Sequence, residues 1–130
     1  ESFAGESPKN VHDSMVVAKL VHGPAAALLM GDAEKRVEYR LLYSGIDIDS
    51  DILKVGHHGS KTSSTEEFLK AVSPDIAIIS AGRKNRYGHP ASEVMERLRG
   101  LNIPLLRTDQ NGDIVIRSDG NGFWVTAKNL

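Results

Sequence analysis

An α/β fold with a mixed sheet is what this sequence predicts, and three observations carry the prediction. Short apolar, β-branched runs alternate with helical periodicities through the middle of the chain, the pattern of strand–helix–strand units. Turn-forming glycines bracket strand pairs at both ends, which adds antiparallel hairpins. Several apolar runs end in Gly, Asp or His, at the strand ends where α/β proteins assemble their sites.

The elements follow in order. Residues 1–13 are polar, with Gly, Pro, Asn and Asp, and read as a loop or arm. Residues 14–22 read as a strand, Gly23-Pro24 as a turn and 25–30 as a second, fully apolar strand. Gly31-Asp32 ends that strand. Residues 33–43 have helical spacing, with Val37 and Leu41 on one face and Asp32 at the N-cap position. After a loop over 45–51, residues 52–55 form a short buried strand. A polar loop over 61–64 leads to a helix over 65–72, where Ser64 and Glu67 have capping-box spacing and Pro74 ends the helix. Residues 76–80 are a β-branched, buried strand. A long loop over 82–92 carries Arg83, Lys84, Arg86 and His89; Ser92 then caps a helix over 93–99 that Gly100 stops. Residues 103–107, 113–117 and 123–126 read as strands, with Asn111-Gly112 and Gly120-Asn121-Gly122 as their turns.

Composition narrows the function classes. A chain of 130 residues suits one small domain or part of a larger one. With 16 basic against 17 acidic residues the net charge is −1, so nucleic acid is not captured by bulk charge, and any such binding needs a local basic patch. There is no cysteine, which excludes disulfides and thiolate metal sites and leaves His, Asp and Glu as metal ligands. No apolar run approaches the roughly 20 residues of a membrane span. The chain starts at Glu1 with no methionine and no leader, so it is expected to be a piece of a longer or processed protein.

Three candidate sites stand at predicted strand ends: Gly31-Asp32, His57-His58-Gly59-Ser60, and Gly88-His89. Loops at the C-terminal ends of parallel strands converge on one edge, and an Asp with two or three His is a ligand set for zinc or manganese. Each also has a plainer explanation. Asp32 alone is most simply a helix cap, adjacent histidines are usually a polar turn, and His89 fits a turn before Pro90. Gly56 and Gly59 permit the bend that would bring both His57 and His58 to one site. His12, in the arm, and His22, beside the hairpin turn, are assigned no role. Arg83, Lys84, Arg86 and Tyr87 make a cationic loop ending in an aromatic, suited to phosphates and a stacked base or equally to a solvated surface. Ser60 and Lys61 open a Ser/Thr-rich turn that suits phosphate or simply caps the next helix; it is not a P-loop.

These same strings resemble a known family. Met30-Gly31-Asp32-Ala33-Glu34, the run from Asp51 to Ser60, and the run from Ala77 to Ser80 leading to Asn85-Arg86-Tyr87-Gly88-His89-Pro90 are similar to the metallo-β-lactamase-fold domain of ComEC-type DNA-uptake proteins. The likeness extends from about residue 13 to about 117. It implies an αββα sandwich with a dinuclear metal site and phosphodiester hydrolysis, directed at the non-transported DNA strand. By that resemblance Asp32 bridges the metals, His58 is a terminal ligand, His57 meets the substrate phosphate or protonates the leaving group, and His89 lies close by. Ser60, Lys61, Arg83, Arg86 and Tyr87 would contact substrate.

The departure from the family is large. Its leading His-x-His-x-Asp-His motif does not occur; the histidines are at 12, 22, 57, 58 and 89. Residues 14–130 therefore resemble the C-terminal half of the domain. Low or absent metal affinity and hydrolysis are expected of the chain alone. Its partners are expected to be single-stranded DNA or another phosphodiester, the other half of the domain and the parent's membrane channel. A homodimer through an uncovered apolar sheet face is a further expectation. The resemblance implies a place at the extracytoplasmic face of the cell membrane within a larger membrane protein, the alternative being cytoplasmic and soluble. Two other functions remain open: a small-substrate phosphodiester or phosphorylcholine esterase, and a non-catalytic DNA-binding module.

Overall fold

A computed structural model of the chain describes residues 11–129. Of the arm expected over 1–13, residues 1–10 lie outside the described residues; a 3-10 turn spans Val11–Ser14. Among the described residues seven strands form two sheets: β1 (Ala18–His22), β2 (Ala25–Leu29), β3 (Ile52–Lys54), β4 (Ile76–Ile79) and β5 (Leu105–Arg107) form one, and β6 (Ile114–Ser118) and β7 (Phe123–Ala127) the other. The helices are α1 (Lys35–Tyr43), α2 (Glu66–Val72), α3 (Ser92–Gly100) and a single turn, α4 (Thr108–Asn111).

The large sheet has the order β1-β2-β3-β4-β5, antiparallel between β1 and β2 and parallel thereafter. Strands laid down in sequential order through crossovers of one hand carry their helices on one face. The packing agrees: α1 contributes Val37 and Leu41, α2 Phe68, Leu69 and Val72, and α3 Val94 and Leu98 to one cluster with Leu28, Leu53, Val55, Ala77 and Ile79 of the sheet. The alternate residues point to the other face, which the β6–β7 hairpin covers only in part. Leu20, Leu29, Ile52, Ile116 and Phe123 line an open apolar cavity of about 520 Å³ between them. The two sheets touch at their turns. His22 Nδ1 lies 3.1 Å from the Ser118 hydroxyl, and a Cβ on Gly23 would fall 1.9 Å from the Gly120 carbonyl oxygen.

The mixed α/β sandwich with flanking helices and two sheets is as the sequence predicts. The details of capping are not. Asp32 does not cap α1, which begins three residues later behind Glu34. The Ser64–Glu67 box does not form: Ser64 is buried with φ 57, and α2 starts behind Thr65 with no side-chain cap of its own. The buried Glu38 carboxylate of α1 takes that role, accepting the Ser64 and Thr65 backbone N–H groups, and the Arg97 guanidinium holds the Ser63 and Ser64 carbonyls from the other side. A tertiary carboxylate satisfies the same orphan N–H groups that a local cap would. Ser92 is the first residue of α3 rather than its cap, and the helix runs through Gly100. The strand over 103–107 pairs in parallel with β4 instead of forming a hairpin with β6, because α4 turns the chain away between them.

The expected place at the extracytoplasmic face, as part of a membrane protein, is corrected: among the described residues no helix is long and apolar enough to cross a membrane. The longest, α1 and α3, have nine residues each, against the roughly 20 a span requires.

Candidate metal and phosphate site

The loops after β2, β3, β4 and β5 all leave the C-terminal edge of the parallel strands, and the candidate residues gather there. The turn after β3 does most of the placing. His57 (φ 46) and His58 (φ 55) are both left-handed, a conformation that costs an ordinary residue about 1–2 kcal/mol. Two such residues in succession reverse the strict alternation of a strand and bring both rings to one edge. The glycines on either side allow it. A Cβ on Gly56 would sit 2.4 Å from the Ala33 carbonyl oxygen, and one on Gly59 (φ 78) would sit 2.7 Å from Pro90 Cβ.

The two histidines then part company. His57 Nδ1 lies 3.0 Å from Glu34 Oε1, and the His12 ring lies against it, tilted by 31° with centroids 4.3 Å apart. Glu34 also accepts the Thr62 hydroxyl at 2.6 Å, and Thr62 is in turn 2.9 Å from Ser60 Oγ. Burial alone would raise the Glu34 carboxyl, but the hydrogen bonds from Thr62 and His57 and the nearby imidazoles outweigh it and hold it below its usual value. His12, Glu34 and His57 offer ligand atoms that all lie within 4.8 Å of one another, a cluster able to coordinate a metal ion. The fit has a further sign. His12 Nδ1 is buried without a hydrogen-bond partner, a state that a cation would relieve. One carboxylate and two imidazoles suit zinc or manganese, and the Ser60–Thr62 chain would fix the carboxylate from behind.

His58 meets different partners and is more exposed. Its Nδ1 donates to the Ser80 carbonyl at 2.7 Å, which leaves Nε2 directed at Asp32 Oδ1, 3.4 Å away. Because a carbonyl can only accept, Nδ1 carries the proton. A neutral His58 then turns a lone pair toward a carboxylate, an arrangement that needs a second proton or a cation. Lys54, at the end of β3, donates to the Val55 carbonyl; burial lowers its ammonium below the usual value, opposed by the charge of Asp32.

His89 completes the edge, its ring 5.7 Å from that of His57 and stacked with Tyr87 at 6.0 Å. Burial, then the charges of His57 and His58, lower its imidazole below the usual value. Asn85 holds this loop in shape: its Nδ2 donates to the His89 and Gly82 carbonyls, and the His89 N–H returns a bond to Oδ1. A cavity of about 240 Å³ opens here, lined by His58, Ser80, Asn85, Tyr87 and His89.

Of the residues singled out from the sequence, the fold brings Asp32, His57, His58 and His89 to one edge. Arg83, Arg86 and Tyr87 lie exposed in the loop beside them, and Lys61 is exposed on the next turn. Ser60 is buried and spends its hydroxyl on Thr62. Sequence reasoning missed Glu34, His12 and Thr62. Glu34 had a signal, since it stands in the turn that ends β2, beside Asp32. His12 had none: it lies 45 residues from His57 with no strand end to mark it.

No protein-family model matches the chain. Curated relatives do. The chain is 44% identical over 110 residues to ComE operon protein 3 of Bacillus subtilis, covering 85% of this chain and 14% of that protein. It is 44% identical over 108 residues to Competence protein ComA of Neisseria gonorrhoeae, covering 80% and 16%. It is 39% identical over 105 residues to Recombination protein 2 of Haemophilus influenzae, covering 81% and 13%. The chain is thus similar to part of bacterial proteins, one named for competence and one for recombination, and spans about one seventh of their length.

Proposed function

We propose that the chain is a metal-holding, nucleic-acid-binding module of a bacterial DNA-uptake protein. The observation that supports this best is the gathering of the His12–Glu34–His57 cluster, Asp32, His58 and the exposed Arg83–Tyr87 loop along one sheet edge. A metal ion there would supply positive charge to a phosphate. Arg83 and Arg86 would pair with neighbouring phosphates and Tyr87 would stack on a base. The kinship with a protein named for competence supports DNA as the polyanion. Titration calorimetry with zinc and with manganese tests the metal, and anisotropy of a labelled DNA strand tests the binding. A chain that binds neither ion nor DNA at low salt would sink the reading.

A second reading applies to a longer protein, and the Asp32–His58 geometry favours it. The 3.4 Å approach of His58 Nε2 to Asp32 Oδ1 supports this reading, since the pair would suit a cation between them. In that reading residues 14–130 form the C-terminal part of a metallo-β-lactamase-like sandwich whose complete site hydrolyses phosphodiesters. Asp32 would bridge two ions, His58 would bind one of them, and His57 would contact the phosphate or protonate the leaving oxygen. The helix-covered sheet with a hairpin on its other face supports such a sandwich. Asp32→Ala in the longer protein should then abolish cleavage; unchanged turnover would rule the bridging role out. The exposed Leu20 and Val21 on edge strand β1, above the open apolar cavity, support self-association, which sedimentation at rising concentration would test.

A further inference from the structure

We infer that the cavity after β4 is a pocket for one unpaired nucleobase, and that Asn85 is the positioning residue that keeps it open. The inference rests on the nucleic-acid reading above and deepens it, from a base stacked on an exposed ring to a base held in a pocket. The cavity, of about 240 Å³, is lined by the chain leaving β4, by His58, and by Asn85, Tyr87 and His89 of the loop that follows. Its frame is fixed at three points. The Ala81 N–H donates to Thr108 Oγ1 at 2.9 Å, and the Thr108 hydroxyl donates back to the Ala81 carbonyl at 3.0 Å. The Ala91 N–H donates to the Gly59 carbonyl at 2.8 Å. Between them, Asn85 donates from Nδ2 to the Gly82 and His89 carbonyls and accepts the His89 N–H at Oδ1. A pocket held in this way is formed before a ligand arrives, so binding spends little on ordering the loop.

The chemistry of the lining selects the occupant. The Asn85 amide is occupied within the loop, and the His58 Nδ1 proton is given to the Ser80 carbonyl. A phosphate needs donors, and these are engaged; what the cavity offers is ring faces. Tyr87 and His89 stack with centroids 6.0 Å apart and planes 19° from parallel, and Tyr87 is 83% exposed. A flat heterocycle extends such a stack, and base–aromatic stacking tolerates any sequence. His89 Nδ1 is buried without a hydrogen-bond partner, a group that the polar edge of a base would satisfy. The phosphates are met outside the cavity. Arg83, Lys84 and Arg86 are exposed in the same loop, and among the described residues none of them has an ion-pair partner. The volume lies below the roughly 300–1,000 Å³ that a drug-sized ligand occupies, which leaves room for one ring system at a time. A base in a duplex reaches such a pocket only by leaving its stack and its partner, whereas an unpaired strand presents it freely.

The test is fluorescence anisotropy with the full chain and three labelled probes of equal length: an oligothymidylate, the same backbone with abasic sites throughout, and the oligothymidylate annealed to its complement. The abasic strand keeps the phosphates and removes the rings. Oligothymidylate should bind about tenfold more tightly than the abasic strand, and more tightly than the duplex. Tyr87→Ala, at a position exposed enough to leave the fold intact, should bring oligothymidylate down to the affinity of the abasic strand, and Tyr87→Phe should keep most of the difference. Asn85→Ala should shrink the same ratio; a ratio that stays, or equal weakening of both strands, would remove its positioning role. Arg86→Ala should lower the salt slope by about 0.7 for both single strands and keep their ratio. If the two single strands bind equally well, this inference falls and the module reading stands. If no probe binds, both fall. Preference for the duplex, or base discrimination that survives Tyr87→Ala, would also overturn the inference.

Discussion

His57 and His58 are neighbours in the chain, share a left-handed backbone and sit at the same sheet edge, yet they occupy different chemical settings. His57 is partly buried, in tilted ring contact with His12 and tied to a carboxylate that Thr62 holds from behind. His58 is more exposed, anchored to a backbone carbonyl and set against Asp32 beside an open cavity. The inner half is organised by side chains from three segments of the chain, the outer half by a strand end and a loop. The difference teaches that a pair of adjacent ligand-type residues need not serve one ion. The rings lie edge to face 6.4 Å apart, and each meets a different carboxylate, Glu34 for His57 and Asp32 for His58.

The most severe way to break both halves at once is Gly56→Ala. Its Cβ would press on the Ala33 carbonyl, the backbone between Asp32 and Glu34, so the β3 turn and the β2 turn cannot both keep their places. Chemical denaturation should show a loss of about 3 kcal/mol or more. Next in size is Glu38→Ala, which strands the buried Ser64 N–H and the partly buried Thr65 N–H at the start of α2 and loosens the turn that carries Thr62. It should cost about 2–4 kcal/mol and disturb the inner half more than the outer, read as larger chemical-shift changes at His57 than at His58.

The sharpest test of the contrast is metal affinity. His57→Ala should weaken zinc binding by about 100-fold, while His58→Ala changes it less than about threefold, both measured by competition with a chromogenic chelator. The reverse order would return the principal ligand role to His58. A smaller effect is expected from pH. Burial, then the charges of His57 and His58, depress the His89 imidazole in the folded chain, so the folded state binds fewer protons than the unfolded one over that interval. Its contribution is present above the ordinary value of 6.5 and is lost as pH falls through the folded value. His89→Phe should therefore flatten the acid side of the stability curve, seen in melting temperatures from neutral to mildly acidic pH.

Much of the fold was legible. Alternating periodicities gave the strand and helix order, and Gly-rich ends marked where strands release their loops at one edge. Of the residues legible in the sequence, Asp32, His57 and His58 follow strand ends and His89 lies in the loop before α3, and the fold gathers all four at one edge. Glu34 was hidden by its neighbour, since a carboxylate opening a helix has an ordinary explanation. His12 was hidden by distance, and Ser64 misread because a local capping pattern says nothing about a buried carboxylate arriving from another helix.

By itself, then, the sequence determined the mixed α/β class, the strand-end placement of its imidazoles and the exclusion of thiolate chemistry, because periodicity, glycine placement and residue type are local properties. Only the tertiary structure decided which carboxylate each histidine faces, that Glu38 and Arg97 hold the turn between them, and that Asn85 braces its loop around a cavity. Those depend on which segments the crossovers bring within a few ångströms, and hydrogen-bond and ligand geometry is set at that range.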